Sequence, residues 1–349
     1  MAPKLFLRSV LFGALVLAAA FSASARASEE VNLYSYRQPA LMQPLLEAFT
    51  KETGIKVNIV HAASGLLERL KAEGRNSPAD LVLTADVGNL NDLVEAGLLQ
   101  PVASETITAN IPAQYRDPAG RWFGLSMRAR VIVASRKRVK PGSLRSYEDL
   151  ASPELRGRIC TRSGKHVYMV SLIAAMIAHK GEAATEAWLK GVKANLARKP
   201  QGSDRSQVKA IAEGECDVAL INTYYYGLME TGADNPGERA WAAASTIVFP
   251  DQDGNGTHVN ISGAGVTLAA KNRQNAIRLI EFLSSDAAQA LYAEKNFEYP
   301  VKPGVKLSPV VAGWGEFKPD AIGLSTVAKR RAAASRLVDR VNYDAGPGT

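Results

Sequence analysis

Apolar positions along the first third of the chain alternate between two spacings. Short apolar runs of strand type are separated by segments in which leucine and phenylalanine recur at helical intervals. Strands are predicted at residues 31–36, 56–60 and 80–84, and helices are predicted at residues 41–54, 66–70 and 90–96. A strand–helix order that repeats three times favours a parallel sheet with helices on both faces.

Two long extended runs, residues 122–135 and 258–269, interrupt this alternation. Between them the pattern predicts strands at 158–161 and 217–221, and helices at 168–179, 183–196 and 207–212. Later helices are predicted at 276–283 and 287–294, followed by a basic helical stretch within 323–349. Extended runs of this length can cross from one lobe to another. The pattern therefore predicts two α/β lobes joined by two crossover strands, with a cleft that closes by a hinge motion.

Residues 1–27 have the pattern of a secretory signal peptide. Two basic residues, Lys4 and Arg8, precede an apolar stretch, and an Ala-Arg-Ala sequence ending at Ala27 supplies small residues for cleavage. The apolar stretch is shorter than the ~20 residues that a membrane span needs, so cleavage is favoured over a permanent anchor. We expect an exported, soluble product that begins near Ser28.

Composition and charge exclude several classes of protein. The 349 residues are 46% hydrophobic and 22% charged, which is globular composition rather than disordered, collagen-like or coiled-coil composition. The net charge of +8 comes from scattered lysines and arginines, so nucleic-acid binding is not favoured. The histidines, at positions 61, 166, 179 and 258, lack ligand-spaced partners, and surface or helix-capping positions are predicted for them. No paired nucleophile and base, dinucleotide-binding glycine motif or Walker A run is present, so the sequence does not predict an enzyme.

The two cysteines, Cys160 and Cys216, are candidates for a disulfide bond in an exported protein. An even number of cysteines in an oxidising compartment favours pairing. The chain-entropy relation assigns a closed loop of this length a stabilisation of ~4 kcal/mol. Two buried thiols on neighbouring strands are the alternative, because the sequence does not place the two Cα atoms.

Three consecutive tyrosines, Tyr224 to Tyr226, follow the apolar strand predicted at 217–221. Ligands of α/β sheets bind at the carboxyl ends of strands, and Asn222 or Thr223 can cap a helix that begins near Tyr224. Two tyrosines at such a turn can converge on one point, and an aromatic cluster on the lobe surface is the alternative. A phenolate is a hard anionic oxygen that loses its proton only near a strong cation. Three phenolates would carry three negative charges and would suit a ferric ion.

Four segments of the chain, residues 31–39, 78–84, 128–132 and 222–227, carry a family resemblance. Through them the chain resembles the periplasmic ferric-ion-binding proteins, the substrate-binding components of iron(III) ABC importers, over essentially the whole mature chain. The adjacent tyrosines are the specific part, whereas the other segments mark the larger class of two-lobe binding proteins. The resemblance implies an α/β fold of the two-lobe type II periplasmic binding protein, with two crossover strands.

The resemblance also implies a set of metal ligands. Two adjacent tyrosines bind Fe³⁺ in the family, and they match Tyr224 and Tyr225. A third family tyrosine, at the start of a helix that follows a cysteine-containing strand, matches Tyr168.

The first lobe departs from the family pattern. Many relatives have a histidine or a His-Tyr pair in the first strand–loop and a glutamate after the third strand, but residues 38–39 here are Gln-Pro and residues 84–86 contain no glutamate. Tyr36 is a candidate replacement ligand, with a packed strand residue as the alternative. Relatives that use only tyrosines complete the coordination with carbonate or water. Because the arginine fork fits a planar oxyanion, Arg37 and Arg128 are candidate contacts for carbonate or bicarbonate as a synergistic anion.

The predicted organisation is a signal peptide at 1–27, a discontinuous amino-terminal lobe at 28–127 and 258–300, and a carboxyl-terminal lobe at 128–257 and 301–349. The resemblance implies a monomer in the periplasm that has no stable membrane insertion and delivers iron to an inner-membrane ABC permease. Two alternatives stay open: a two-lobe binding protein for a small organic or oxyanion ligand, and a periplasmic hydrolase. The lack of a paired nucleophile and base argues against the hydrolase.

Overall fold

The alternation predicted for the first third of the chain is present in the computed structural model, which describes residues 29–348. The predicted signal peptide, residues 1–27, lies outside the described residues. The elements of this third are β1 (Glu30–Ser35), α1 (Pro39–Thr53), β2 (Lys56–His61), α2 (Leu66–Glu73), β3 (Leu81–Thr84), α3 (Val87–Glu95) and α4 (Glu105–Asn110). Helix α4 was not predicted, because its six residues span fewer than two turns and show little periodicity.

The rest of the described chain contains the two long strands and the second set of elements. The elements up to the second long strand are β4 (Phe123–Ser135), β5 (Ile159–Cys160), α5 (Val167–Lys180), α6 (Glu182–Ala194), α7 (Asp204–Glu213), β6 (Val218–Asn222), α8 (Thr223–Thr231), α9 (Glu238–Ala243), β7 (Ser245–Val248) and β8 (Val259–Val266). The elements after it are α10 (Arg273–Leu283), α11 (Asp286–Asn296), β9 (Tyr299–Pro300), α12 (Pro309–Gly313) and α13 (Leu324–Val341). The short elements β7, β9, α9 and α12 were not predicted, since two to six residues give no readable period.

Helix α1 shows how local sequence sets the element bounds. It begins at Pro39, where the missing N–H breaks no helical hydrogen bond. It ends before Gly54, whose φ of 72° gives the left-handed C-cap that glycine adopts without strain. Its apolar face buries Leu45 and Phe49 against the sheet and the helices α10 and α11. This face anchors the loop between β1 and α1, which lies at the cleft described below.

The strands form one sheet in the order β2-β1-β3-β8-β4-β6-β5, with β7 and β9 also paired to β4. Strand β1 runs parallel to β2 and β3, as predicted from the alternation in the first third of the chain, and β5 runs parallel to β6. We call β1–β3 with α1–α4, α10 and α11 the first lobe, and β5–β7 with α5–α9 the second lobe. The exact residues at which the lobes divide stay a prediction.

Strands β4 and β8 join the two lobes. All residues of both strands are buried, and the two strands pair with each other in antiparallel register from Phe123 opposite Ala264 to Ala129 opposite Val259. The later part of β4 then pairs with β6 of the second lobe, from Arg130 opposite Asn222 onward. Each half of β4 therefore belongs to a different lobe, and its middle lies behind the space between them.

The carboxyl-terminal helix α13 contacts both lobes. It packs on α5 and α6 of the second lobe and on α3 of the first. Arg331 of α13 donates a hydrogen bond to Asp92 of α3 at 2.7 Å. Among residues 29–348, no helix combines the length and the apolar character that crossing a membrane requires.

The predicted disulfide bond is confirmed. Cys160 and Cys216 are bonded, with their Cα atoms 5.9 Å apart. Cys160 ends β5, and Cys216 precedes the neighbouring parallel strand β6, so the sheet itself brings the two residues together. The alternative of two separate thiols is wrong.

We predict that thiol labelling of the unfolded, non-reduced protein will find no free thiol. Replacing both residues, Cys160→Ala with Cys216→Ala, should lower the free energy of unfolding by ~4 kcal/mol, because the unfolded chain regains the entropy of the open loop. Denaturant titration of the double variant and of the wild type with and without reductant measures this difference. Labelling of two thiols per non-reduced chain would contradict the assignment.

Candidate functional site

A cleft of about 420 Å³ lies between the two lobes. Its walls are formed by the loops that follow β1 and β3 on one side and by the first turns of α5 and α8 on the other. The polar side chains that line it are Tyr36, Arg37, Gln38, His61, Asp86 and Asn89 from the first lobe and Arg162, Lys165, His166, Tyr168, Tyr224 and Tyr225 from the second. The cleft therefore contains four of the tyrosines that the sequence singled out.

Three phenols of the second lobe lie together. Strand β6 ends at Asn222 and α8 begins at Thr223, so Tyr224 and Tyr225 lie in the first turn of the helix, with ring centres 4.2 Å apart. The hydroxyl of Tyr168, from the first turn of α5, lies 3.0 Å from the hydroxyl of Tyr224. The expected convergence of tyrosines at a strand-to-helix turn is present.

Burial keeps two of these phenols protonated. It raises the pKa of Tyr224 well above its usual value, and the neighbouring phenols Tyr168 and Tyr225 raise it further. Burial also raises the pKa of Tyr225, followed by the effects of Tyr168 and of the Asp204 carboxylate. A phenolate pair in this position is unfavourable unless a strong positive charge lies beside it.

The third tyrosine of the run, Tyr226, does not face the cleft. Its hydroxyl donates to the carbonyl oxygens of Ala242 and Ser245, at 3.0 and 2.9 Å, inside the second lobe. Its ring meets Trp314 edge-to-face. Tyr226 thus fits the alternative of a packing aromatic residue, whereas its two neighbours do not.

Tyr36 lies on the opposite wall of the cleft. Its hydroxyl oxygen accepts a hydrogen bond from the backbone N–H of Leu67 at 2.9 Å, which holds the phenol at the amino end of α2. Burial raises the pKa of Tyr36. Among the described residues, its hydroxyl makes no hydrogen bond to the three phenols of the second lobe. The structure therefore places Tyr36 at the cleft but does not group it with them.

Arg37 lines the cleft, but its fork is already used. Its two terminal nitrogens donate to the Glu298 carboxylate at 2.8 and 2.9 Å, and one of them also donates to Ser262 at 2.6 Å. The guanidinium carbon lies 5.7 Å from the ring centre of Tyr224. The buried pair with Glu298 leaves Arg37 without the free fork that the expected anion contact requires.

Arg128 lies behind the phenols rather than in the cleft lining. One terminal nitrogen donates to the carbonyl oxygen of Ala85, and the guanidinium carbon lies 5.7 Å from the ring centre of Tyr168. It lines a separate small cavity that Tyr168 also lines, and it is not among the residues that line the cleft.

Sequence reasoning missed Arg162, which does face the cleft. Its guanidinium carbon lies 5.2 Å from the ring centre of Tyr168. Its Nε and Nη1 are buried and have no hydrogen-bond partner among the described residues, with the nearest carboxylate oxygen, on Asp204, 3.6 Å from Nη1. Because Arg162 lies two residues after the end of β5, its place at the carboxyl end of a strand could have identified it.

The histidines are only partly where they were expected. His166 caps α5, where its Nδ1 accepts from the backbone N–H of Tyr168 at 3.3 Å, and burial followed by the charge of Arg162 lowers its pKa to about 3. The expectation of a surface or capping position is wrong for His258, which is 3% exposed. Its Nε2 pairs with the hydroxyl of Ser171 at 3.0 Å, because β8 places it inside the junction of the lobes. In the described part of the chain, no cluster of three or more His, Cys, Asp or Glu side chains is arranged to hold a metal ion.

Comparisons with known proteins agree on one class. Residues 33–298 match the family profile described as bacterial extracellular solute-binding protein. The chain is 45% identical to iron uptake protein A1 of Synechocystis sp. over 317 aligned residues. This alignment covers 90% of this chain and 88% of that protein.

Solved structures are similar over the same length. Apo ferric ion-binding protein A of Pasteurella haemolytica superposes with a TM-score of 0.87 at 53% identity, covering 90% of this chain and 98% of that one. A Trichodesmium protein in complex with iron and citrate ligands superposes with a TM-score of 0.85 at 44% identity, covering 90% and 99%. The fold is that of the two-lobe type II periplasmic binding proteins, as the sequence predicted.

Proposed function

The chain belongs to the bacterial extracellular solute-binding protein family, within the group of ferric-ion-binding proteins, and from this premise we propose that it captures Fe³⁺ in its interlobe cleft and delivers it to an ABC permease. It is a binding protein rather than an enzyme. The observation that carries the proposal is the convergence of the Tyr168, Tyr224 and Tyr225 phenols at one wall of the cleft.

The chemistry of the three phenols favours Fe³⁺ over other cations. Phenolate oxygens are hard, anionic ligands, and three of them match the charge of a ferric ion. Zinc sites use histidine and cysteine, and calcium or magnesium sites use mainly carboxylates and carbonyls. Burial disfavours the charged form of the phenols, so deprotonating them costs free energy. A cation of low charge compensates this cost less well than a trivalent ion does.

We assign the ligands Tyr168, Tyr224 and Tyr225 to the second lobe, which implies that iron first binds there. Tyr36, the fourth candidate, already accepts a hydrogen bond from Leu67 and would have to give it up to bind the metal. A ligand closes the cleft only by binding the closed state better than the open state. With no strong metal ligand from the first lobe, closure depends on contacts made through an anion or through arginine.

The coordination of iron is completed by a small carboxylate or carbonate anion. Arg162 supports this assignment, because it faces the cleft beside Tyr168 with two nitrogens that no described residue accepts from. Of the candidates from sequence, Arg37 lines the cleft with its fork bonded to Glu298, and Arg128 does not line the cleft. Their guanidinium carbons each lie 5.7 Å from a ring centre, that of Tyr224 and that of Tyr168 respectively. Iron is accompanied by citrate in the Trichodesmium structure, so citrate is a second candidate beside carbonate.

The cellular setting follows from the same family. We propose a periplasmic protein, exported with removal of the signal peptide near Ala27, whose partner is the inner-membrane permease of an iron importer. The relatives named for iron uptake and ferric-ion binding support this setting. The monomeric state stays a prediction.

We predict that the iron-loaded protein is coloured by charge transfer from tyrosinate to iron. Tyr225→Phe or Tyr224→Phe should bleach most of this absorption and weaken iron binding by ~100-fold or more, since each removes an anionic ligand. Tyr226→Phe is the matched control and should keep both colour and affinity, because its hydroxyl bonds inside the second lobe. Full colour and iron content in the Tyr224 and Tyr225 variants would overturn the site assignment.

We predict that iron binding releases protons and weakens as the pH falls. Burial raises the pKa values of Tyr224 and Tyr225 without metal, and all three ligand phenols must lose their protons to bind iron as phenolates. Three released protons make the apparent affinity fall by about 1,000-fold per pH unit. The number of protons released on iron loading can be measured at constant pH and corrected for the iron chelate. This number should be smaller by one proton in Tyr224→Phe and in Tyr225→Phe. Iron retention that does not change with pH would count against phenolate ligands.

We predict that Tyr36→Phe weakens iron binding by less than ~10-fold, well below the effect of Tyr225→Phe. The reason is that the Tyr36 oxygen is already held by the Leu67 N–H, on the other wall of the cleft. Competition with a chelator, run side by side on the two variants, measures the difference. Equal loss of binding in both variants would show that the first lobe supplies an essential ligand.

A further inference from the structure

A second, smaller cavity lies behind Tyr168, where β4, β6 and β8 meet, and we call it the hinge cavity. Its free volume is about 10 Å³, which is about the space of one water-sized group. Besides Tyr168, it is lined by Arg128, Arg130, Ser171, Asn222, His258 and Asn260. Tyr168 is also part of the cleft wall, so the two spaces share this residue.

The hinge cavity is lined by donors that no described residue satisfies. These atoms are Nη1 of Arg128, Nε and Nη2 of Arg130, and Nδ2 of Asn222. Each of the three residues is at most 3% exposed. Buried charged donors without an acceptor are costly, so an acceptor inside the cavity would stabilise the structure.

The acceptors around the cavity are already used. The Ser171 hydroxyl accepts from Asn260 Nδ2 at 2.7 Å and pairs with His258 Nε2 at 3.0 Å. The Oδ1 of Asn260 accepts from the backbone N–H groups of Val87 and Ile261. Asn222 Oδ1 accepts from Arg130 Nη1 at 3.1 Å, and the Tyr168 hydroxyl pairs with that of Tyr224. Among the described residues lining the cavity, the Nδ1 of His258 is the one side-chain acceptor without any hydrogen bond, and it accepts only in one tautomer.

The donor excess favours an anion over water. A water molecule donates two hydrogen bonds and accepts two, so a wall of donors leaves its own hydrogens without partners. The charge points the same way. Arg130 is paired with Asp204 at 3.0 Å, whereas Arg128 has no carboxylate within ion-pair distance among the described residues. The pKa of His258 is lowered to about 3, first by burial and then by the positive charges of Arg128 and Arg130. A lowered histidine pKa is expected in a region of positive potential.

We propose that the hinge cavity binds one monatomic anion, chloride under physiological conditions, held by Arg128, Arg130 and Asn222. A chloride ion is only slightly larger than a water molecule, whereas carbonate and larger oxyanions far exceed this space, which separates this site from the anion proposed for the cleft. The ion compensates the arginine charge at the junction of the strands that link the lobes. The proposal does not depend on the identity of the cleft ligand.

The first test is the thermal stability of the iron-free mature chain. An ion that binds only the folded state raises the unfolding temperature. With millimolar affinity for chloride, the midpoint temperature of unfolding in sodium chloride should exceed the midpoint in sodium gluconate of equal ionic strength by about 2–4 °C. Asn222→Asp brings a resident carboxylate to the same donors and should abolish this difference. Asn235→Asp is the matched control, because it makes the same charge change at an exposed turn, where Asn235 Oδ1 accepts from Gly237 N–H. This variant should keep the difference between the unfolding temperatures in chloride and in gluconate.

The second test locates the ion directly and does not need a variant that folds. Crystals of the wild-type protein prepared in sodium bromide should show an anomalous bromide peak in the hinge cavity. Bromide found only at the surface, or equal midpoints in chloride and gluconate for the wild type, would overturn the proposal. A chloride effect that persists unchanged in Asn222→Asp would also contradict it.

Discussion

The hydrogen bond between the Tyr168 and Tyr224 hydroxyls, at 3.0 Å, is the contact on which the proposed site depends. It holds two phenol oxygens from different helices close enough to share one cation, and Tyr225 packs against Tyr224. Burial keeps Tyr224 and Tyr225 neutral when no cation is bound. The same burial strengthens the attraction to a trivalent ion, because there is less water to screen it. In the proposed site the phenols are therefore neutral without metal, and binding favours a cation of high charge.

Arginines surround the three rings and moderate this balance. Five guanidinium carbons lie within 6 Å of the centre of one of these rings: Arg37 near Tyr224, Arg205 near Tyr225, and Arg128, Arg130 and Arg162 near Tyr168. Three of them pair closely with carboxylates, Arg37 with Glu298, Arg130 with Asp204 and Arg205 with Glu238. Arg128 has no carboxylate within ion-pair distance among the described residues, and Arg162 has only Asp204, at 3.6 Å, which also pairs with Arg130. Arg128 lines the hinge cavity and Arg162 lines the cleft, and we propose a different anion for each of these two spaces.

The sequence revealed the parts of the site that depend on local order. Tyr224 and Tyr225 follow a buried strand, and the strand-to-helix turn that this order predicts does bring them together. The antiparallel pairing of β4 with β8 was not readable, although both long runs were recognised as crossovers. The pairing of Arg37 with Glu298 joins residues 261 positions apart, and no local pattern signals it. Because that pairing uses the fork of Arg37, the anion role expected from sequence could not be judged before the structure.

The most direct measurement is a crystal structure of the iron-loaded protein. The account predicts an iron ion bonded to the hydroxyl oxygens of Tyr168, Tyr224 and Tyr225, with a small anion completing the coordination beside Arg162. In that structure the hydrogen bond between Tyr168 and Tyr224 is replaced by bonds to the metal. Iron bound elsewhere in the cleft, with the two hydroxyls still hydrogen-bonded to each other, would contradict the account.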